Sequence, residues 1–209
     1  MKYFFAFTLL NLVFIIALQG QNSEEFNHSR YIKSIKKERK LKDIEIKSGD
    51  HSPLPDEEKA SFVKLKYYHT KVKYRKVATF NRFDEAKRFL MKTTTERLPE
   101  YSLYGEIVFR HNSKNYTLNV YQNIELIKKP GYENHLFIPF NDETNGHETY
   151  GGGRFLDITE TGADSIIIDF NKAYNPYCAY NHKFSCPIPP ESNALKIKIK
   201  AGEKKWHEL

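Results

Sequence analysis

The sequence predicts an α+β protein: mainly antiparallel β, in a barrel-like or sandwich sheet, with a helical arm at the N-terminus. Three observations predict it. Up to about Leu65, apolar residues recur at helical spacing among dense charges. Beyond Leu65, β-formers cluster in short runs. Turn residues separate those runs too closely for the crossover helices of a parallel sheet. The chain has 209 residues, 40% hydrophobic and 14% aromatic, enough for one domain with an appendage and a sizeable core. Fourteen Tyr and fifteen Phe exclude a low-complexity or disordered chain.

Residues 1–20 read as a secretory signal. Lys2 precedes an apolar run over 3–17 broken only by Thr8 and Asn11, and the small residue Gly20 follows. The run is nearly long enough for an uncleaved anchor, but its polar exit, Gln19-Gly20-Gln21-Asn22, favours cleavage. No Cys follows, which removes a lipoprotein anchor. The expectation is an exported protein, periplasmic or extracellular, without a stable membrane span after cleavage.

Residues 21–65 form the arm. Phe26, Ile32, Ile35, Leu41 and Ile44 predict a helix over 24–46. The breaker-rich segment 48–55 ends it, and Asp56, Glu57 and Glu58 open a short helix at the favourable end of its dipole. The chain carries a net charge of +7, much of it here. Arg30, Lys33, Lys36, Lys37, Arg39, Lys40, Lys42 and Lys47 stand against Glu38, Asp43 and Glu45. The simplest reading is a solvated face carrying i,i+4 pairs, with anionic lipid or nucleic acid as the alternative. No nucleic-acid fold signature accompanies the run, so no nucleic-acid partner is expected.

Residues 66–209 form the β-rich domain. Strands are predicted near 72–80, 88–91, 104–110, 116–121, 135–140, 154–158, 165–170 and 195–200. His111-Asn112-Ser113-Lys114-Asn115 marks a hairpin between the third and fourth.

The most specific text lies in this half. It runs through Tyr150-Gly151-Gly152-Gly153-Arg154-Phe155-Leu156-Asp157, then Ile168-Asp169-Phe170-Asn171-Lys172-Ala173-Tyr174-Asn175-Pro176-Tyr177-Cys178-Ala179-Tyr180, then Cys186-Pro187-Ile188-Pro189-Pro190-Glu191-Ser192-Asn193 and Ala201-Gly202-Glu203. With Ser52-Pro53-Leu54 upstream, this resembles the family called domain of unknown function 1684, found in bacteria and archaea, over about residues 30–204. The resemblance implies no mechanism. It singles out these segments as the family's signature.

The chemistry of the signature can be read residue by residue. Gly151, Gly152 and Gly153 can aim backbone N–H groups into an anion-holding concavity, with Arg154 forking onto a carboxylate or phosphate. The alternative is a tight turn or bulge feeding a strand. If 154–158 and 165–170 form a hairpin, one register sets Asp157 opposite Asp169, a pair suited to acid–base work or to holding a cation. A slip of one residue separates them. Tyr150, Asn171, Tyr174 and Asn175 can hydrogen-bond a polar ligand, or cap turns and pack. Cys178 and Cys186, the only cysteines, most simply form one disulfide in an exported chain. Zinc ligation with His182 and His147, or a nucleophilic cysteine, are the other readings. No cofactor or metal motif is present. The functional expectation is an exported protein binding a small polar or anionic ligand through residues 150–175. The alternative is an exported hydrolase using Asp157 and Asp169, or a metal held by carboxylates and His147.

Overall fold

The computed structural model describes residues 26–206; the expected signal at 1–20 lies outside them. Helix α1 (His28–Ser48) is capped by Asn27, whose side chain accepts from the Arg30 N–H at 2.9 Å. Its inner face differs from the expected apolar stripe. Of the five predicted residues only Ile35 is buried, beside Tyr31 and Ile46, while Ile32, Leu41 and Ile44 face outward. Arg39 and Lys42 hold inner positions instead. The surface beneath α1 is polar: Arg39 donates to the Tyr68 carbonyl at 2.9 Å and the Asn171 carbonyl at 3.1 Å, and Lys42 to Glu203 at 3.1 Å. Buried acceptors there need cationic donors rather than aliphatics. Helix α2 (Asp56–Ser61) follows, led by its three acids.

Six antiparallel strands form a sheet curled into a half-barrel. They are β1 (Arg75–Leu90), β2 (Glu100–His111), β3 (Lys114–Asn123), β4 (His135–Asp142), β5 (Arg154–Thr159) and β6 (Ser165–Asp169), in the order β5-β4-β3-β2-β1-β6. A two-residue strand β7 (Ala194–Leu195) pairs parallel with β4. The predicted strands at 72–80 and 88–91 merge into β1 through a register shift between Arg82 and Lys87. The β2–β3 hairpin turns at Asn112 and Ser113, whose φ of 46° and 66° suit a type I′ turn. On the inner face Phe80, Ile107, Phe109, Leu118, Val120, Leu136, Ile138, Phe140, Leu156 and Ile168 make the main core. A second cluster, with Tyr101, Tyr121, Phe137 and Phe155, gathers residues of opposite parity on β4 and β5.

Two expectations are corrected. Strand 195–200 is absent beyond Leu195: the Ile197 carbonyl still accepts from Glu143 N–H at 3.0 Å, but the Ile199 carbonyl turns to Arg154 and no ladder continues. Strands β5 and β6 are not a hairpin pair: β5 pairs with β4 and β6 with β1, at opposite edges of the sheet. Arg82 is the physical reason. It draws the connecting loop across to β1, donating to Glu160 at 2.6 and 3.0 Å and to the Ala163 carbonyl at 2.8 Å, while Phe80 N–H bonds the Asp164 carbonyl at 2.9 Å. The seam left between β5 and β6 is a groove of about 620 Å³.

Candidate functional site

Most of the signature builds a buried clamp. Arg154 is fully buried. It donates to Asp142 at 2.6 Å, to the carbonyls of Ile199 at 2.9 Å and Glu203 at 3.3 Å, and to the Ala201 carbonyl. It therefore staples the segment after β7 across the half-barrel and does not face solvent. Among the triple glycine only Gly153 has positive φ, at 90°. A Cβ there would lie 2.5 Å from Asn141 Oδ1 and 2.8 Å from the Phe140 carbonyl, so the turn-and-close-approach reading fits. Asn175, fully buried, donates to Glu203 at 2.9 Å, and Tyr180 also donates to that carboxylate. Asn171, equally buried, ties Lys71 to the sheet through its N–H at 3.0 Å and its carbonyl at 2.9 Å. The sequence suggests Gly153, Arg154, Asn171 and Asn175 as ligand contacts; the structure places all four inside, with the three polar side chains donating to groups of the fold. Polar side chains in such positions look like a site in sequence because burial is invisible there.

Asp157 and Asp169 both line the seam groove, but from opposite edges of the sheet. Asp169 is buried and accepts from Tyr31 at 2.7 Å and from the Asn171 N–H at 3.0 Å. Asp157 differs: its side chain is 43% exposed. Tyr174 donates to its Oδ2 at 2.7 Å, and His135 Nε2 lies 3.1 Å from its Oδ1. A carboxylate accepts, so in the neutral ring Nε2 carries the proton. His135 Nδ1 is then an acceptor, buried with no partner among the described residues. Burial first, and then the Asp157 carboxylate, hold the Tyr174 hydroxyl protonated far above the usual tyrosine range.

Asp157 also stands at the edge of a second cleft, of about 550 Å³. Tyr101, Phe137, Phe155 and Tyr174 contribute aromatic surface, and Tyr132, Tyr177 and Phe184 line it further. Polar groups come from His135, Asn123, Ser185 and, on α1, Lys42 and Glu45. The wall at 184–187 is fixed to the loop after β1: Thr94 N–H bonds the Cys186 carbonyl at 2.9 Å, and Arg97 donates to the Ser185 carbonyl at 2.8 Å. His135, Tyr132 and Asn123 were missed in the sequence. The alternation in β4, with His135 sharing the parity of Phe137, was the available signal. Only the β4–β5 register, Phe137 beside Asp157, reveals what His135 meets.

Cys178 and Cys186 are buried free thiols in this structure. The Cys178 N–H donates to Cys186 Sγ at 3.2 Å, and the Tyr150 hydroxyl lies 3.6 Å from Cys178 Sγ. The hydrogen bond between the two thiols lowers Cys178 against the opposing effect of burial and raises Cys186. Among the described residues no group of three His, Cys, Asp or Glu is arranged to hold a metal. His147 and His182 are both exposed.

A curled antiparallel half-barrel, a helix laid against it and an aromatic cleft edged by one open carboxylate define an α+β protein of β-barrel-like type. The family model described as "Protein of unknown function (DUF1684)" matches residues 60–204, and the chain belongs to that family. It is also similar to the solution NMR structure of an uncharacterized protein from Haloarcula marismortui. The identity is 30%, over 84% of this chain and 95% of that one, with a TM-score of 0.66. No curated protein matches the chain.

Proposed function

We propose that this is an exported binding protein that holds a small polar ligand in the aromatic cleft at Asp157. One observation carries the reading: an exposed carboxylate, oriented by Tyr174 and His135, edges a cleft rich in aromatic rings. Rings offer flat apolar contact, and a pre-oriented carboxylate accepts hydrogen bonds from hydroxyl or amine groups, the combination a sugar or an amino compound needs. An anionic ligand is less favoured, because Arg154 is committed to Asp142 and Lys42 to Glu203. Hydrolysis is also less favoured: each candidate aspartate is engaged by its own partners, and Ser185 Oγ already accepts from Thr95 at 2.6 Å and Arg97 at 3.1 Å.

Export rests on the leader at 1–20, and an oxidising compartment would join Cys178 to Cys186 across the cleft wall. Intact mass under non-reducing conditions reads this directly; free thiols in the exported chain would remove the disulfide. The binding test is ligand-observed NMR with a panel of monosaccharides, amino acids and polyamines. His135→Ala and Tyr132→Ala should weaken any hit at least about tenfold while thermal stability holds. A panel without hits, or hits indifferent to both changes, would overturn the cleft as the site.

A further inference from the structure

The charges of α1 are sorted by the fold in a way their sequence order conceals. All three acids of the helix are drawn inward or to its flank. Glu38 pairs with Lys172 at 3.0 Å, Asp43 accepts the Leu65 N–H at 2.9 Å, and Glu45 lines the aromatic cleft. The expected i,i+4 pairs along the helix are absent among the described residues, because each would-be partner acid points elsewhere. What remains outward is Lys33, Lys36, Lys37, Lys40 and Lys47, at the i, i+3, i+4, i+7, i+14 spacing of a single face. All five are exposed, and none makes an ion pair with a described residue. Three aliphatic side chains lie on or beside this face: Ile32, Leu41 and Ile44, at 44%, 56% and 54% exposure.

We propose that this outer face of α1 is a docking surface for an anionic phospholipid bilayer. Five uncompensated lysines match a negatively charged surface, and the interleaved Ile and Leu side chains supply the shallow apolar contact that lets a helix lie in the headgroup layer. Those aliphatics favour lipid over a nucleic acid, whose backbone rewards cations and stacking rings rather than isolated Ile and Leu. If, as the export reading has it, the apolar run at 3–17 is a leader, it brings the chain to a membrane, and α1 is the first described element after it. The surface lies apart from the aromatic cleft, so this inference does not depend on the proposed ligand.

The test is flotation of the chain, as recovered from export, with vesicles of phosphatidylcholine alone or containing phosphatidylglycerol. Three proteins are compared: wild type; K33Q/K37Q/K40Q; and K71Q/K196Q/K198Q, which loses the same charge elsewhere. Each lysine at an anionic surface contributes on the order of fivefold in partitioning, so the first triple variant should lose on the order of a hundredfold. The control should lose little, and salt should release the wild type. Attachment through a retained apolar run would persist on neutral vesicles and in every variant, so the lipid-charge-dependent difference is the readout. Equal binding to neutral and anionic vesicles, equal losses in the two triple variants, or tighter binding to a DNA duplex than to anionic vesicles would overturn the proposal.

Discussion

Replacing Arg154 by Met should nearly unfold the protein rather than silence a ligand site. The side chains of Arg154 and Asp142 are both fully buried and lie 2.6 Å apart. Arg154→Met keeps the volume but leaves the Asp142 carboxylate uncompensated, with only the Thr144 and Ile199 N–H groups at 2.7 and 3.4 Å. Breaking a buried pair from one side costs about 3–5 kcal/mol. The carbonyls of Ile199, Ala201 and Glu203 lose a donor as well, each worth about 1 kcal/mol or more when left buried. Against a total stability of about 5–15 kcal/mol, that is most of what the fold has. The assay is urea denaturation followed by the single tryptophan, Trp206. It rests on Phe62 with ring centroids 5.4 Å apart and donates to Glu58 at 3.0 Å, so it reports release of the stapled C-terminal segment. With a slope of about 2 kcal/mol per molar urea, the midpoint should fall by about 2 M or more. Asp142→Asn should cost a comparable amount, and the double variant less than the two losses added. If Arg154→Met shifts the midpoint by less than about 0.5 M, the clamp argument is wrong and Arg154 must be reconsidered as a ligand residue.

Gly153→Ala and Gly162→Ala both place a side chain at positive φ, 90° and 79°, but only the first meets neighbours within 4 Å. Thermal melts should show about 1 kcal/mol lost at Gly162 and clearly more at Gly153; equal losses would mean the crowding at Gly153 relaxes freely. Arg82's hydrogen bonds hold the Glu160 carboxyl down at about 2. A depressed folded-state value stabilises above the unfolded value, about 4.3, and that contribution fades as pH falls from there toward 2. Glu160→Gln should therefore flatten the acid limb of the stability–pH curve between those values, and an unchanged limb would refute the assignment.

How far each feature could be read in the sequence depended on the range of the interaction that decides it. The β2–β3 hairpin, α1 and the β-rich remainder rest on periodicity and turn residues a few positions apart, and the structure has them. The β5–β6 pairing rests on where the loop between them goes, and Arg82, on β1, decides that. The role of Arg154 depends on Asp142 together with carbonyls from 45 to 49 residues away, so a glycine-rich approach to an arginine looked like an anion site. The inner face of α1 misled for the same reason: cations replace aliphatics wherever the surface beneath offers buried acceptors. This shapes where function should be sought. Gly153, Arg154, Asn171, Asn175 and Glu203 are held by the architecture, so their presence in the signature is accounted for without a ligand. Of the signature residues singled out as site candidates, Asp157 is the one whose side chain stays open in a cleft, and Tyr174 is bonded to it. The signature thus marks how the half-barrel is stapled shut. Specificity, if the cleft binds, must lie in the residues around Asp157 that the signature leaves out: Asn123, Tyr132, His135, Phe184 and Ser185.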